Sequence, residues 1–248
     1  MTQVHKHEIP RKALHVSIGF LVLHFYSRGY QPTHITPFLL SAFLPITCAD
    51  LLRHRIPAFN AFYIRVLGAL MRESEVDSYN GTIFFLAGTY LVLRVFPKDI
   101  GVLGVLLLSW CDTAASTFGR LWGRYTPHIR KGKSLAGTAA AMFTGVASAA
   151  VFWGYIGPKL GTPFGYDVGV NAFAFKGMLQ LPGAVCGYLG WNPETAKVTG
   201  GVAVGIASVV AGTVAAAAEA VDLWGWDDNL TIPVLCGVGL WGFLKTFG

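Results

Sequence analysis

Asp112 stands in a stretch of small residues, where its type and spacing could support phosphate chemistry. The stretch reads Asp-Thr-Ala-Ala-Ser and continues to Gly119-Arg120. On a helix, Asp112, Ser116, Gly119 and Gly123 would share one face, because they are spaced by four, three and four residues. A carboxylate in an apolar helix is costly and tends to be functional. Packing through small residues explains the glycines but not the aspartate.

A strip of basic residues follows this stretch, with no acidic residue between positions 120 and 133. Lysine and arginine bind polyphosphates, although such a strip can also be a loop that sets membrane topology. Lys133 directly precedes a predicted helix start, where free N–H groups bind anions. The predicted phosphate-binding residues are Ser116, Gly119, Arg120, Arg124, Lys131, Lys133, Ser134, Gly137 and Thr138. A Walker A loop is excluded, because Pro127 stands where that motif needs its first glycine.

Acidic residues that could hold a metal ion recur near the end of the chain. Glu219 lies in the last turn of an apolar helix, and Asp228-Asn229 follow in a polar connection. Carboxylate and amide oxygens are the ligands that Mg²⁺ and Ca²⁺ prefer. We expect Asp112, Glu219, Asp228 and Asn229 to form a divalent-cation site, although an acidic loop can also be simply solvated.

Four polar residues at the starts of apolar segments could contact phosphate or a lipid head group. Arg11, Lys12 and His15 open the first segment, and Asn80 precedes the third. An alternative is that the basic residues only anchor the first helix at the interface. Asn80 followed by Gly81-Thr82 is also typical of a turn and helix cap.

The composition is that of a membrane protein. Of 248 residues, 53% are hydrophobic and 13% are charged, and the mean hydropathy is +0.51. A soluble domain usually carries about 25% charged residues. The net charge of +6 is typical of cytoplasmic loops and also suits polyphosphate or anionic lipid. Four scattered cysteines support neither a zinc site nor a disulfide framework.

We therefore predict an all-α, polytopic bundle in which residues 1–248 form a single integral-membrane domain. The predicted spans are 13–27, 35–52, 82–97, 99–118, 135–157, 199–222 and 231–247, which makes about seven, with six or eight possible. A short amphipathic helix around Ile64–Met71 is predicted in the 53–81 connection, with Arg65 and Arg72 on its polar face. The basic connections share one side, which the positive-inside rule makes cytoplasmic. Residues 164–192 contain Lys176 and Pro182 and are predicted not to cross, so that Glu219 and Lys133 reach the same face.

In their order and spacing, these motifs resemble the CTP-dependent lipid kinases, a superfamily that includes dolichol kinase, phytol kinase and CDP-diacylglycerol synthase. The motifs are Asp112-Thr-Ala-Ala-Ser with Gly119-Arg120, Lys133-Ser134-x-x-Gly137-Thr138, Glu219, and Asp228-Asn229-Leu-Thr-Ile-Pro233. The fungal CTP-dependent diacylglycerol kinases are most similar, since Arg11-Lys12-x-x-His15 and Asn80-Gly81-Thr82 also match them. The resemblance covers about residues 8–247.

The resemblance implies transfer of the γ-phosphoryl group of CTP to diacylglycerol, at a cytoplasm-facing site in the endoplasmic reticulum and nuclear membrane. Phosphoryl transfer needs mainly positioning and charge neutralisation, which these residues can supply. Asp112, Lys133 and Glu219 are the predicted catalytic residues, and Lys133 would hold phosphate. Mg²⁺ or Ca²⁺ would bind the acids, unless Asp112 instead orients or deprotonates the attacking hydroxyl. We expect no nucleic acid and no obligate protein partner.

Three other functions would suit the same polar residues. A polyprenol or phytol kinase, or a cytidylyltransferase that makes CDP-lipid, could use the same core. An ion-coupled transporter could use Asp50, Asp112 and Glu219. The transporter is disfavoured because no inverted repeat is apparent and the basic loop suits a nucleotide better than a cation.

Overall fold

A computed structural model describes residues 9–130, 132–160, 169–192, 195–221, 223 and 225–248. The helices are α1 (Ile9–Ser27), α2 (Pro32–Arg53), α3 (Pro57–Leu67), α4 (Gly81–Val95), α5 (Lys98–Leu106), α6 (Asp112–Trp122), α7 (Leu135–Val151), α8 (Gly157–Leu160), α9 (Gly183–Leu189), α10 (Gly200–Ala220) and α11 (Asp228–Phe247). Single π-helical turns join α5 to α6 at Leu107–Cys111 and α7 to α8 at Phe152–Ile156. The fold is therefore all-α in character, as predicted.

Two small antiparallel sheets, which the sequence analysis did not predict, complete the structure. Strand β1 (His128–Arg130) pairs with β2 (Lys133–Ser134) within the basic strip. Strand β3 (Met178–Gln180) pairs with β4 (Lys197–Thr199).

Each predicted span coincides with a helix, but about seven spans are not confirmed. Five helical segments of the described chain are long and apolar enough to cross a membrane. They are Pro32–Arg53, Lys98–Tyr125, Leu135–Lys159, Gly200–Ala220 and Asp228–Phe247. Helix α4 is apolar but has only 15 residues, which gives a length of about 22 Å against a hydrocarbon core of about 30 Å.

The described part of the 164–192 segment has no helix that could span, in agreement with the prediction. Residues 169–192 contain a 3₁₀ turn, β3 and the short helix α9. The backbone N–H groups of Ala174 and Phe175 donate to the carboxylate of Asp99, at 2.8 and 3.0 Å, near the start of α5. This segment thus covers the end of the bundle where α5 begins.

Helix α10 runs from the covered end of the bundle to the other end, where Glu219 lies. Helix α10 begins beside the β3 sheet, where the N–H of Gly200 donates to the carbonyl of Gly177 at 3.1 Å. It ends next to Lys133, whose ammonium group contacts Glu219. This contact agrees with the prediction that Glu219 and Lys133 lie on the same side, and the described residues 169–192 lie at the opposite end of the bundle, near the end of α7 and the start of α10.

Small residues allow the central helices to pack closely. Every residue of α5 is buried, so this helix lies in the interior of the bundle. Helices α7 and α10 meet at Gly145 and Gly212, where a Cβ on Gly145 would lie 2.8 Å from the Cα of Gly212. This close approach is the small-residue packing expected between membrane helices.

The connection after α2 differs from its prediction. Its helix, α3, begins at Pro57 and ends at Leu67, so Leu70 and Met71 lie beyond it. Proline favours the first position of a helix, which explains the earlier start. Arg65 lies on the helix, but Arg72 does not, so the predicted shared polar face is wrong.

Candidate active site

Asp112 owes its position to the π-helical turn at Leu107–Cys111, directly before α6. Isolated π turns within α-helices often occur at functional sites, because they shift the side chains that follow. Asp112 is half-buried and lies at the beginning of α6, whose remaining turns run towards the basic strip.

The β1–β2 hairpin and the start of α7 position Lys133. Gly132 adopts a left-handed φ of 81° in the turn, a conformation that glycine adopts without steric cost. Ser134 caps α7, since its hydroxyl accepts a hydrogen bond from the N–H of Gly137 at 3.3 Å. Lys133 therefore lies in the second strand of the hairpin, directly before the residue that caps α7, which fixes its backbone.

Two motif glycines let α6 and α7 approach each other at this point. A Cβ on Gly137 would lie 2.8 Å from the carbonyl oxygen of Ala115 and 3.4 Å from the Cα of Gly119. Larger residues would separate the helix that carries Asp112 from the helix that follows Lys133. The glycines of the motif therefore allow α6 and α7 to pack closely next to Asp112 and Lys133.

Three carboxylates converge at this end of the bundle. One oxygen from each of Asp112, Glu219 and Asp228 lies within 4.8 Å of the others. Lys133 Nζ donates to Asp228 Oδ2 at 2.9 Å and also to Glu219 Oε1. Arg130 Nη2 lies 3.7 Å from Asp228 Oδ1. The structure thus brings together residues from α6, β1, β2, α10 and α11.

The electrostatics of this cluster keep Lys133 protonated. Burial alone lowers the pKa of Lys133, but the carboxylates of Glu219 and Asp228 outweigh burial and raise the pKa above its ordinary value. An ammonium group held between two acids is a positive charge available to a phosphate that enters the site.

The donor set of the cluster suits a hard divalent cation. All three candidate ligands are carboxylates, which Mg²⁺ and Ca²⁺ prefer. Glu219 is 2% exposed, and its Oε2 has no hydrogen-bond partner among the described residues. A buried carboxylate oxygen without a partner is unfavourable, and a bound cation would satisfy it.

Arg11 and Asn229, the residue after Asp228, meet at the start of α4. Arg11 Nη1 donates to Glu75 Oε1 at 2.5 Å, and both side chains are buried. Asn229 Nδ2 donates to the carbonyl of Gly81 at 3.4 Å. A Cβ on Gly81 would lie within 3.0 Å of Arg11, Glu75 and Asn229 side-chain atoms. The amide nitrogen of Asn229 thus faces α4.

Asn80 occupies a helix-capping position. Its Oδ1 accepts a hydrogen bond from the N–H of Thr82 at 2.8 Å, and its Nδ2 donates to Tyr63 Oη at 3.2 Å. Its own N–H donates to Asp50 Oδ2 at 3.1 Å. The helix-cap interpretation of Asn80 is confirmed.

The other predicted residues lie around the cluster. Lys12 Nζ donates to Thr117 Oγ1 at 3.0 Å, and the Ser116 hydroxyl donates to the carbonyl of Thr113 at 3.2 Å. Arg120 and Arg124 are exposed, and the guanidinium group of Arg124 stacks over Tyr125. The Thr138 hydroxyl is buried without a partner among the described residues. Lys131 lies outside the described residues.

Three fungal proteins resemble this chain over most of its length. The CTP-dependent diacylglycerol kinase 1 of Schizosaccharomyces pombe is 43% identical over 230 residues, which cover 93% of this chain and 90% of that protein. The Saccharomyces cerevisiae protein of the same name is 39% identical over 242 residues, or 98% of this chain and 75% of that protein. The Eremothecium gossypii protein of that name is 41% identical over 233 residues, or 94% of this chain and 66% of that protein.

The chain belongs to the CTP-dependent diacylglycerol kinases. The resemblance inferred from the motifs is thereby confirmed, and the enzyme is a kinase rather than a transporter or a cytidylyltransferase. No family model matches the chain, and no solved structure matches it.

Two buried or half-buried polar contacts were not predicted from the sequence. Arg130 approaches Asp228 and donates to the carbonyl of Val221 at 3.3 Å, although it was not among the predicted site residues. Its position in the basic strip was the available signal. Arg53 Nε donates to Asp50 Oδ1 at 2.7 Å in a fully buried ion pair. Asp50 therefore has a structural role. An acid three residues before an arginine at a helix end would have indicated this pair.

Proposed function

We propose that this kinase transfers the γ-phosphoryl group of CTP to the hydroxyl of diacylglycerol at the cluster of Asp112, Lys133, Glu219 and Asp228. The convergence of three carboxylates and Lys133 at one end of an apolar bundle supports this assignment most directly. A nucleotide can approach such an end from water, while the lipid acceptor reaches it from the bilayer.

The acids and the basic residues have complementary roles in this proposal. Asp112, Glu219 and Asp228 would hold Mg²⁺ or Ca²⁺, with Asn229 near them. The metal ion would neutralise charge on the phosphate oxygens during transfer. Lys133 would contact the phosphates of CTP, with Arg130 beside it as a second positive group. Either Asp112 acts only as a metal ligand, or it orients the attacking hydroxyl.

The basic residues around the cluster would extend the nucleotide site. Arg120, Arg124 and Lys131 would contribute positive charge, and Ser134, Gly137 and Thr138 would line the start of α7. Arg11, Lys12 and His15 would face the lipid head group at the start of α1. The whole chain, residues 1–248, would act as one integral-membrane domain that needs no protein partner for the reaction.

The deciding experiment is a phosphoryl-transfer assay on purified protein in detergent micelles with diacylglycerol and γ-labelled CTP or ATP. We expect labelled phosphatidate with CTP and Mg²⁺ and none with ATP. Asp112→Asn should nearly abolish the product, while Asp77→Asn, a matched change at an exposed position, should not. Labelled phosphatidate at undiminished rate from Asp112→Asn would refute the assigned site.

We also propose that the enzyme resides in the endoplasmic reticulum and nuclear membrane with this cluster facing the cytoplasm. The basic residues of the 120–133 strip lie at the cluster end, as the positive-inside rule requires of a cytoplasmic side. Fluorescent tagging of the full chain in cells tests the location. Exclusive location at another membrane would overturn it.

A further inference from the structure

A cavity of about 220 Å³ lies between α1, α2 and α4, outside the carboxylate cluster. Its lining is almost wholly apolar and includes Ile18, Val22, Leu39, Phe85, Leu86 and Leu93. Leu21 and Tyr30 also line it and are 47% and 49% exposed, so the cavity opens on the outer surface of the bundle. In a membrane that surface contacts lipid, and the cavity is accessible from the bilayer.

His15 connects this cavity to the carboxylate cluster. Its ring packs edge-on against Phe85, a cavity residue, with the ring centroids 5.1 Å apart. The neighbouring carbonyl, that of Val16, accepts a hydrogen bond at 3.2 Å from Trp110, two residues before Asp112. His15 is 7% exposed, and its Nδ1 has no hydrogen-bond partner among the described residues. An imidazole nitrogen without a partner among the described residues therefore lies beside the cavity residue Phe85, on the turn of α1 that contacts the π-helical turn before Asp112.

Thr89 provides a second polar atom without a partner in the cavity wall. Several helical hydroxyls in the bundle donate to the carbonyl four residues earlier, as those of Ser148, Ser208 and Thr213 do at 2.7, 2.7 and 2.8 Å. Besides Thr89, the buried hydroxyls of Thr47, Ser109 and Thr138 also lack a partner among the described residues, but only Thr89 of these four lines the cavity. Thr89 is 3% exposed, yet its Oγ1 has no partner among the described residues. It lies four residues, about 6 Å, beyond Phe85 along α4.

The order of these features matches the order of groups in a diacylglycerol. The apolar cavity suits an acyl chain, and the Thr89 hydroxyl can donate to an ester carbonyl. One turn closer to the acids, the His15 imidazole can hydrogen-bond the free hydroxyl of the glycerol. Buried polar groups are normally paired, so a ligand that pairs both is favoured over one that pairs neither. A polyprenol has a hydroxyl but no ester carbonyl.

We propose that the cavity between α1, α2 and α4 holds an acyl chain of diacylglycerol, with an ester carbonyl on Thr89 Oγ1 and the free hydroxyl on His15 Nδ1. This assignment rests on the proposed function and adds to it the acceptor site and the basis of acceptor choice. The hydroxyl would then face Asp112 and the phosphates held near Lys133.

The first test compares diacylglycerol with the dialkylglycerol ether, which has the same hydroxyl but no ester carbonyl. Thr89→Val preserves shape and removes the donor. Loss of one hydrogen bond should lower kcat/KM for diacylglycerol about two- to tenfold and leave the ether and the KM for CTP unchanged. Thr89→Ser should retain the preference for the ester, and Thr213→Val is the matched control on α10. Equal effects of Thr89→Val on ester and ether, or no effect on either, would overturn the assignment.

The second test fills the cavity. Leu86→Trp should raise the KM for long-chain diacylglycerol with little change for CTP, whereas Leu91→Trp, on the exposed face of α4, should change neither. His15→Gln should raise the KM for diacylglycerol or lower kcat without changing the KM for CTP. Wild-type protein that makes no phosphatidate would refute the proposed function itself. An active wild type whose Leu86→Trp variant keeps its KM for the lipid would refute only the acceptor site.

Discussion

Lys133 carries the positive charge that pairs with two of the three clustered carboxylates. It is the one described lysine that contacts both Glu219 and Asp228. Carboxylate oxygens of these two residues lie within 4.8 Å of one from Asp112. Three carboxylates this close repel one another, and the ammonium group offsets part of that repulsion. The same group would bind phosphate when CTP and a metal ion enter. Lys133 would then exchange carboxylate oxygens for phosphate oxygens of the same charge.

Removing this charge should weaken nucleotide binding more than folding. We expect Lys133→Ala to lower kcat/KM for CTP at least about tenfold, because a charge-assisted contact contributes about 1.5–3 kcal/mol. Steady-state kinetics at varied CTP and saturating diacylglycerol measure this effect. Lys197→Ala, an exposed lysine at the opposite end of the bundle, is the matched control. Unchanged use of CTP by Lys133→Ala would contradict the phosphate assignment.

The carboxylates should make the enzyme dependent on a divalent cation. Chelation with EDTA should abolish phosphatidate formation, and added Mg²⁺ or Ca²⁺ should restore it, because uncompensated acids would repel the triphosphate. Metal should also raise the Tm of the wild type in the absence of substrate, and do so less for Glu219→Gln. Full activity after exhaustive chelation, or equal metal stabilisation of both proteins, would contradict the metal assignment.

At the scale of elements, the contact between α6 and α7 sets the width of the site. Asp112 lies on one of these helices, and Lys133 directly precedes the other. Their approach at Gly137 leaves no room for a side chain against Ala115. A small change in this contact would therefore move the carboxylate relative to the ammonium group.

Adding a single methyl group at this contact should impair both stability and activity. Gly137→Ala would place a Cβ 2.8 Å from the carbonyl oxygen of Ala115, so the helices must separate. We expect a lower Tm and reduced kcat. Gly205→Ala on α10 meets no atom within 4 Å, and alanine favours a helix by about 1 kcal/mol over glycine, so this control should be neutral or stabilising. Equal behaviour of the two variants would show that the close approach is unimportant.

At the scale of the whole molecule, the two ends of the bundle carry different sets of side chains. One end gathers the carboxylates, Lys133, Arg130 and the Arg11–Glu75 pair. The other is covered by the 169–192 segment and by the β3 sheet, and the buried Asp99 carboxylate anchors that segment. Under the proposed function, the reaction would take place at the first end, while the second end is closed by protein contacts.

This division predicts how the protein sits in the membrane. A glycosylation sequon introduced at exposed Tyr188, at the covered end, should be modified in cells, because that end would face the lumen. A matched sequon at exposed Arg124, at the cluster end, should remain unmodified. A mobility shift that glycosidase reverses is the measurement. Modification at Arg124 but not at Tyr188 would reverse the proposed orientation.

Helix content and the acidic candidates that the structure brings together followed from the sequence, because hydropathy and charge are local properties. Long apolar stretches must satisfy their backbone groups as helices in a membrane, so each predicted segment is helical. Asp112 and Glu219 were identifiable because a carboxylate in an apolar segment is costly and therefore informative. The alignment of Lys133 with Glu219 also followed, from the inference that residues 164–192 do not cross.

Features that depend on contacts between distant residues were decided only by the tertiary structure. The π-helical turn before Asp112, the β1–β2 hairpin and the approach of Arg130 to Asp228 have no local periodicity that would predict them. The sequence also could not predict that His15 Nδ1 and Thr89 Oγ1 lack hydrogen-bond partners among the described residues, because that depends on every residue packed around them. The sequence by itself determined which residues could bind metal and phosphate. The packing of α1, α4, α6 and α7 decided how far apart they stand and where the cavity lies, because distances between helices depend on the side chains that meet.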